Sequence, residues 1–147
     1  MSMSKLNIII IIISFVGCNV KKDTMYSLLE NFILKEYNVD NLNDYDNVVV
    51  VTDEGSCIEC NRAFSKLMGS VVNRPDILFI ISTSGSKIDI SYYLEFTTEN
   101  VIVDRESKFS DLGLVKSSAI IYLEKSKIVD IIEVNLDNLA EIAELEF

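Results

Sequence analysis

The segment from Val48 to Met68 constrains this chain most, because a strand-like run, a cysteine pair and a helix-like pattern follow one another within it. Val48 to Val51 is a continuous valine run bounded by polar turn residues, which is typical of a strand buried on both faces of a parallel sheet. The apolar residues that follow are spaced three and four positions apart: Cys60, Ala63, Phe64, Leu67, Met68 and Val71. This spacing predicts one face of an α-helix, with Gly69 placed to end it.

The two cysteines of this segment lie where the predicted strand meets the predicted helix. At a helix N-terminus, unpaired backbone N–H groups and the positive end of the helix dipole stabilise a thiolate, which is the reactive form of cysteine. Cys57 occupies that position, and Cys60, one turn later, faces the same side and can close a disulfide. The sequence therefore predicts a reactive cysteine pair at the end of a buried strand.

Charge and histidine content exclude several classes of function. The chain of 147 residues has 13 basic and 23 acidic residues, a net charge of −10 and no histidine. A nucleic acid partner is excluded, because binding to phosphates needs a basic face. Mechanisms that depend on histidine, including Ser-His-Asp and Cys-His nucleophiles and the common zinc sites, are excluded too. Cysteine is nearly the only strong nucleophile left, in a chain whose length and 49% hydrophobic content predict one domain.

The first 17 residues have the pattern of an export signal. Lys5 precedes an apolar run, and the 12 residues from Leu6 to Gly17 are too few for a membrane span, which needs about 20, but fit a signal peptide. Phe15-Val16-Gly17-Cys18 resembles the lipobox of bacterial lipoproteins, with Phe15 where leucine is usual. The resemblance implies that Cys18 is acylated and becomes the mature N-terminus. An ordinary cleaved signal and an uncleaved anchor are the alternatives.

With lipid on Cys18, the chain divides into a signal peptide at residues 1–17, a lipidated tether at 18–24 and a folded domain at 25–147. Loss of Lys5 would leave 12 basic and 23 acidic side chains, a balance of −11. Two cysteines would remain, Cys57 and Cys60, in a cell envelope where disulfides persist. The sequence thus predicts an exported protein that a lipid anchors to a membrane.

The remaining elements are predicted from apolar runs and capping residues. Four more strands are predicted at Ile77–Ile81, Val101–Val103, Ala119–Leu123 and Ile128–Val134. Helices are predicted at Met25–Tyr37 with Asp23 or Thr24 as N-cap, at Glu106–Leu112 ended by Gly113, and from Leu136 to Leu145 with Asn135 as N-cap.

The segment from Lys87 to Phe96 has two interpretations. Its apolar residues alternate strictly, which favours a strand, but some of them also lie four apart on one helical face. We prefer a short helix within Lys87 to Thr97, because the next strand is a parallel neighbour and needs a crossover connection.

The order of elements resembles the thioredoxin fold over roughly Tyr26 to Phe147. It consists of a strand, a CxxC helix, a strand, a crossover, a strand, a hairpin and a terminal helix. Gly55 to Cys60 resembles the active-site motif of that family. Val101 to Asp104, followed by Leu112 to Val115, is similar to the approach to the hairpin in its membrane-anchored reductases. The resemblance implies an α/β three-layer sandwich with a central mixed sheet of four to five strands.

The same resemblance assigns roles to residues of the site. It implies that Cys57 attacks a substrate disulfide and that Cys60 resolves the mixed disulfide, or the reverse flow when the oxidised pair accepts electrons. The loop that borders the cysteines in this family aligns with Ser117 and Ser118, which are the predicted substrate-binding residues. No cofactor and no metal are implied.

Three positions depart from the family pattern. Ser118 stands where a cis-proline is usual, and Ser56 stands where a tryptophan commonly precedes the first cysteine. Val51 stands six residues before that cysteine, where many members have a buried acid. Acidic residues surround the pair instead, namely Asp53, Glu54 and Glu59. Because negative charge disfavours a thiolate, the pair is predicted to be more reducing and less reactive than in the strongly oxidising members of the family.

Three functional hypotheses follow. The leading one is a lipid-anchored thiol-disulfide oxidoreductase of the bacterial cell envelope, whose partners are envelope proteins with cysteines or a membrane electron donor. The first alternative is a non-catalytic binding lipoprotein of the same fold that keeps Cys57 and Cys60 as a static disulfide. The second is a copper(I) site at the same two cysteines, since soft thiolates select that ion.

Overall fold

A computed structural model of the chain describes residues 22–37, 39–55, 57–85, 87–95 and 99–145. Several predictions lie outside the described residues, namely those on the signal peptide at 1–17, on Cys18 and the tether up to residue 21, and on Ser56, Phe96, Thr97 and Phe147. None of the helices within the described ranges is long and apolar enough to cross a membrane.

The described chain alternates helices and strands. Residues 22–37 are helical and form α1. The strands are β1 Asn47–Thr52, β2 Ile77–Ser82, β3 Val101–Asp104, β4 Ala119–Leu123 and β5 Ile128–Glu133. The later helices are α2 Ile58–Gly69, α3 Ser91–Leu94, α4 Lys108–Asp111 and α5 Leu139–Ala143, and a short 3-10 turn at Leu42–Asp44 precedes β1. Each strand begins and ends within one residue of its predicted bounds.

The five strands form one mixed sheet in the order β3-β2-β1-β4-β5. The first three strands run parallel, and β4 is antiparallel to both β1 and β5. Thr52, Ser82 and Asp104 are aligned at the ends of the parallel strands. We call this end of the sheet the carboxyl edge, and the opposite end the amino edge. The segment that carries Cys57 leaves β1 at the carboxyl edge.

Helices cover both faces of the sheet, which gives three layers. On one face, α1 and Phe109 of α4 pack on the alternate strand residues that include Val48 and Leu78. On the other face, α2 and α5 pack on the strand residues that include Val49 and Phe79. Strands β1 and β2 are buried on both faces, which is the physical reason for their continuous apolar runs. The predicted fold class is confirmed, and the arrangement is compatible with a thioredoxin-like sandwich.

Two predicted N-caps are wrong. Asp23 and Thr24 are themselves helical, so neither is the N-cap of α1. Asn138, not Asn135, precedes α5. The Asn135 carboxamide accepts hydrogen bonds from the N–H groups of Asp137 and Asn138 at 2.8 and 3.1 Å, which forms a turn where the helix was predicted to begin.

The other helices are shorter or shifted relative to prediction. The α3 helix confirms the predicted crossover helix but has only four residues. The α4 helix begins at Lys108 because the buried carboxylate of Asp104, at the end of β3, accepts hydrogen bonds from the N–H groups of Lys108 and Phe109 at 3.1 and 2.8 Å. Gly113 follows α4 with a left-handed φ of 62°. These short helices are defined by contacts across the fold rather than by their own periodicity.

The α2 helix ends at Gly69 as predicted, but for a different reason. The next residue, Ser70, keeps right-handed helical backbone angles, so no left-handed glycine cap forms. A Cβ atom on Gly69 would lie 3.0 Å from the Cβ atom of Tyr92. The glycine therefore allows α3 to approach the end of α2 closely.

Candidate functional site

The cysteine pair occupies the first turn of α2. Cys57 is the N-cap residue of α2, which begins at Ile58, so the predicted position of Cys57 at a helix N-terminus is confirmed. The two sulfurs form a disulfide, with an S–S distance of 2.07 Å and Cα atoms 5.2 Å apart. The N–H group of Cys60 lies 3.3 Å from Cys57 Sγ and donates to it. The predicted disulfide is therefore confirmed, at a helix terminus where the N–H group of Cys60 points at the sulfur of Cys57.

The two cysteines differ in their access to solvent. Cys57 is half-buried, whereas Cys60 is only 1% exposed and belongs to the core cluster that contains Val51 and Phe64. Of the two cysteines, only Cys57 therefore presents appreciable surface to a thiol or a disulfide arriving from solvent. This asymmetry is what disulfide exchange requires of an attacking and a resolving cysteine.

The loop before Cys57 packs against the loop before β4. Gly55 has a left-handed φ of 98°, and a Cβ atom there would lie 2.7 Å from the carbonyl oxygen of Lys116 and 3.1 Å from the Cβ atom of Ser117. The two backbones are therefore in direct contact, and only glycine fits. We call residues 53–57 the cysteine loop and residues 115–118 the bordering loop.

Ser118, which the resemblance to thioredoxins aligns with a cis-proline, is fully buried and hydrogen-bonded. Its Oγ accepts from the N–H group of Thr52 at 3.0 Å and donates to the Thr52 carbonyl at 3.3 Å. Its own N–H group, which a proline would lack, donates to Asn61 Oδ1 at 3.2 Å. No cis peptide bond occurs among the described residues. Here the bordering loop is fixed by side-chain hydrogen bonds.

Ser117 lies at the surface of the same loop. It is half-buried, and its Oγ donates to the carbonyl oxygen of Val134 at 3.2 Å. The carboxylate of Glu133 accepts from the N–H group of Lys116 at 3.1 Å, which holds the loop against β5. Ser117 and Ser118 thus both border the cysteine loop, and their contact with a substrate stays a prediction.

Asn61 is the residue of this site that the sequence interpretation missed. It is completely buried on α2, directly after Cys60. The predicted helix face included Ala63, which is exposed, while the polar residues Asn61 and Ser65 are buried instead. The sequence did contain a signal for this residue. Asn61 is a polar residue next to the second cysteine, and it lies on the inward side of a helix that begins at Ile58.

Acidic side chains lie around the pair but in different environments. Glu54 is exposed, and the exposed carboxylate of Glu59 pairs with the Arg62 guanidinium at 2.6 Å, which offsets its charge. Asp53 is only 5% exposed, and its Oδ2 has no hydrogen-bond partner among the described residues. Negative charge is therefore present on both sides of the helix start, and it is partly compensated on the helix itself.

The other positions of interest carry no acid or metal cluster. Val51 is buried among apolar side chains of the core. In the part of the chain that the structure describes, no group of three or more Cys, Asp or Glu side chains is arranged to hold a metal ion. With both sulfurs in the disulfide, Cys57 and Cys60 have no free thiolate to offer to copper(I) in this state.

Comparisons with known proteins assign no family or activity to this site. No protein family model, no curated protein and no solved structure matches the chain. The class is therefore defined by what the chain itself contains, which is a CxxC disulfide at the N-terminus of a helix in a thioredoxin-like α/β sheet.

Proposed function

We propose that this protein is a thiol-disulfide oxidoreductase that exchanges or reduces disulfides of cell-envelope proteins through Cys57 and Cys60. The observation that carries the proposal is the disulfide at the start of α2, in which one sulfur belongs to a half-buried residue and the other to a residue 1% exposed. A disulfide that only stabilised the fold would need no accessible sulfur and no helix N-terminus beside it.

The exchange proceeds in two balanced steps. In the reduced protein, the Cys57 thiolate attacks one sulfur of the substrate disulfide, a mixed disulfide forms, and the other substrate sulfur leaves as a thiolate that takes a proton from water. Cys60 then loses its proton to water and attacks Cys57 Sγ, which releases the second substrate thiolate. Two electrons pass to the substrate and leave the Cys57–Cys60 disulfide. An external dithiol returns the two electrons by the reverse steps.

A redox titration of the folded domain tests this proposal against a static disulfide. We expect the pair to be reduced reversibly without unfolding, with a midpoint between about −300 and −120 mV, because structural disulfides lie below that range and the strongly oxidising family members lie at its upper end. Glu54 and Glu59 disfavour a thiolate and shift the midpoint toward the reducing end. Thiol labelling in glutathione and dithiothreitol buffers measures it, with near-UV circular dichroism to report the fold.

Two results of that titration contradict the account. A disulfide that resists dithiothreitol until the protein unfolds would identify the non-catalytic binding protein. A midpoint near about −120 mV would contradict the inferred effect of the acidic residues, although it would leave exchange itself in place.

We further propose that the protein is exported and held at a membrane by lipid on Cys18. The described chain begins near the amino edge of the sheet. There, Lys22 Nζ donates to the Val129 carbonyl, and Asp23 Oδ1 lies 3.7 Å from Lys127 Nζ. Through Tyr122 of β4, the strand register aligns Asp130 with Asn47, which is the first residue of β1. The cysteine loop follows Thr52, which is the last residue of β1. An anchor on Cys18 would therefore attach at the end of the domain opposite to Cys57, which suits partners that approach from the aqueous side.

Replacement of the lipidated cysteine tests the anchor separately. Cys18→Ala is expected to move the protein from the membrane fraction to the soluble fraction, because one acyl-modified residue supplies the whole membrane affinity in this proposal. Cell fractionation followed by immunoblotting measures the distribution, and Cys60→Ala, which leaves the lipobox intact, is the matched control. Unchanged membrane retention of Cys18→Ala would refute the lipid anchor and would not bear on disulfide exchange.

A further inference from the structure

We propose that Asn61 is a positioning residue of the redox site, which holds the cysteine loop and the bordering loop together so that a protein disulfide can dock onto Cys57. The inference rests on the proposed function, because it concerns how that site receives its substrate. Asn61 does not touch the reacting sulfurs through its side chain. It acts through the two loops that flank them.

The side chain of Asn61 joins two loops to α2. Its Nδ2 donates to the carbonyl oxygen of Glu54 in the cysteine loop at 2.6 Å. Its Oδ1 accepts from the N–H group of Ser118 in the bordering loop at 3.2 Å. Its backbone N–H donates to the carbonyl oxygen of Cys57 at 3.1 Å. One buried carboxamide therefore satisfies a polar group of each loop, and it does so from the residue next to Cys60.

The two hydrogen bonds fix the separation of the loops at the point where a substrate must enter. The loops already touch through Gly55 and Lys116, and the Asn61 carboxamide adds a second link between them, at Glu54 and Ser118. Because Ser118 has an N–H group where the family has proline, a buried donor must find an acceptor, and Asn61 provides it. The hydrogen bond from Ser118 to Asn61 therefore holds the bordering loop at the position where the family has a proline.

This arrangement separates two properties of the site. The intrinsic reactivity of Cys57 depends on its sulfur, the helix N-terminus and nearby charge. Docking of an extended protein substrate depends also on the relative position of the two loops. Loss of the Asn61 link should therefore weaken reaction with a protein disulfide far more than reaction with a small one, which needs only access to Cys57.

The test compares Asn61→Leu with Asn100→Leu in the domain that carries both cysteines. Asn100 is a matched control, because it is only 7% exposed and its Nδ2 donates to the carbonyl oxygens of Val72, Arg74 and Ile77 at 3.1, 2.8 and 2.9 Å, near the amino edge. Both variants remove buried carboxamide hydrogen bonds and replace the side chain by an apolar one with the same number of heavy atoms, so any overpacking by the larger leucine affects both. Their reduced forms are assayed with insulin as the protein disulfide and with oxidised glutathione as the small one.

We expect Asn61→Leu to raise the KM for insulin by about 10-fold and to change the rate with oxidised glutathione by less than about 3-fold, since small misplacements of a docking surface cost one to two orders of magnitude. Asn100→Leu should lower the melting temperature and leave the KM for insulin unchanged. Equal losses with both substrates in Asn61→Leu, or an equal rise of KM in Asn100→Leu, would overturn the inference and leave the proposed function standing.

Two further outcomes are also decisive. If Asn61→Leu does not fold, Asn61→Asp replaces it, because the carboxylate still accepts from Ser118 but cannot donate to Glu54. An unchanged KM for insulin in that variant would overturn the inference. A wild-type protein that reduces neither disulfide would instead overturn the proposed function, and this inference with it.

Discussion

Cys60→Ser is expected to trap a substrate protein in a mixed disulfide with Cys57, whereas Cys57→Ser is expected to trap none. The reason is the difference in exposure, because Cys57 is half-buried and Cys60 is 1% exposed within the core. In Cys60→Ser the first attack still occurs, but no thiol one helical turn away can displace the substrate. Non-reducing electrophoresis of the variants after incubation with insulin, or after expression with envelope proteins, detects the adduct.

Both serine variants should lose at least about 100-fold in steady-state turnover. A resolving thiol held in the same site has an effective concentration far above the millimolar concentration of any external thiol, so its removal costs at least that factor. Cys18→Ala serves as the control, since it keeps both site cysteines. Equal trapping by the two variants would contradict the assignment of Cys57 as the attacking cysteine, and turnover retained in either variant would contradict a two-cysteine mechanism.

Ser118→Pro, which introduces the residue usual at this position in the thioredoxin family, is expected to destabilise this protein by about 3 to 5 kcal/mol. The serine makes two hydrogen bonds to Thr52 through its hydroxyl and one to Asn61 through its N–H group. Proline removes all three, and it leaves the buried N–H of Thr52 and the Oδ1 of Asn61 without partners. Each buried group left without a partner costs about 1–3 kcal/mol, so the two together cost about 2–6 kcal/mol, which contains the expected value.

Denaturant unfolding of matched variants measures this effect. Ser118→Ala keeps the N–H group that binds Asn61, so its loss of unfolding free energy should be smaller, about 1–3 kcal/mol. Ser117→Ala, one residue earlier and half-buried, should cost only about 0.5–1.5 kcal/mol. A proline variant as stable as the wild type would show that the hydrogen bonds of Ser118 do not hold the bordering loop.

The central strands were predictable from sequence, because a strand that is buried on both faces consists of a continuous run of apolar residues. Val48 to Val51 and Ile77 to Ile81 are continuous apolar runs, and they lie in β1 and β2, which are buried along almost their whole length inside the sheet. The short helices were less predictable. Their ends depend on partners distant in sequence or on competing turns, as with the Asp104 carboxylate that accepts from the first turn of α4 and the Asn135 turn that precedes α5.

The same distinction applies to the site. The cysteine pair could be predicted because its chemistry is local, with two cysteines three positions apart at a strand-to-helix junction. The burial of Asn61 next to the second cysteine had a signal in the sequence, but its partners had none, because they are a backbone carbonyl seven residues earlier and a backbone N–H group 57 residues later. No periodicity in the sequence reports that kind of contact. The missing proline was visible in the sequence, but the hydrogen bonds that replace it were visible only in the fold.

Turnover by the wild-type protein tests the central claim most directly. The folded domain, supplied with an external dithiol, is assayed for reduction of the interchain disulfides of insulin, beside a variant in which both Cys57 and Cys60 are serine. We expect the wild type to complete many reduction cycles per molecule and the double variant not to exceed the rate of the dithiol alone. A wild-type rate equal to that background, with Cys57 and Cys60 still joined, would contradict it.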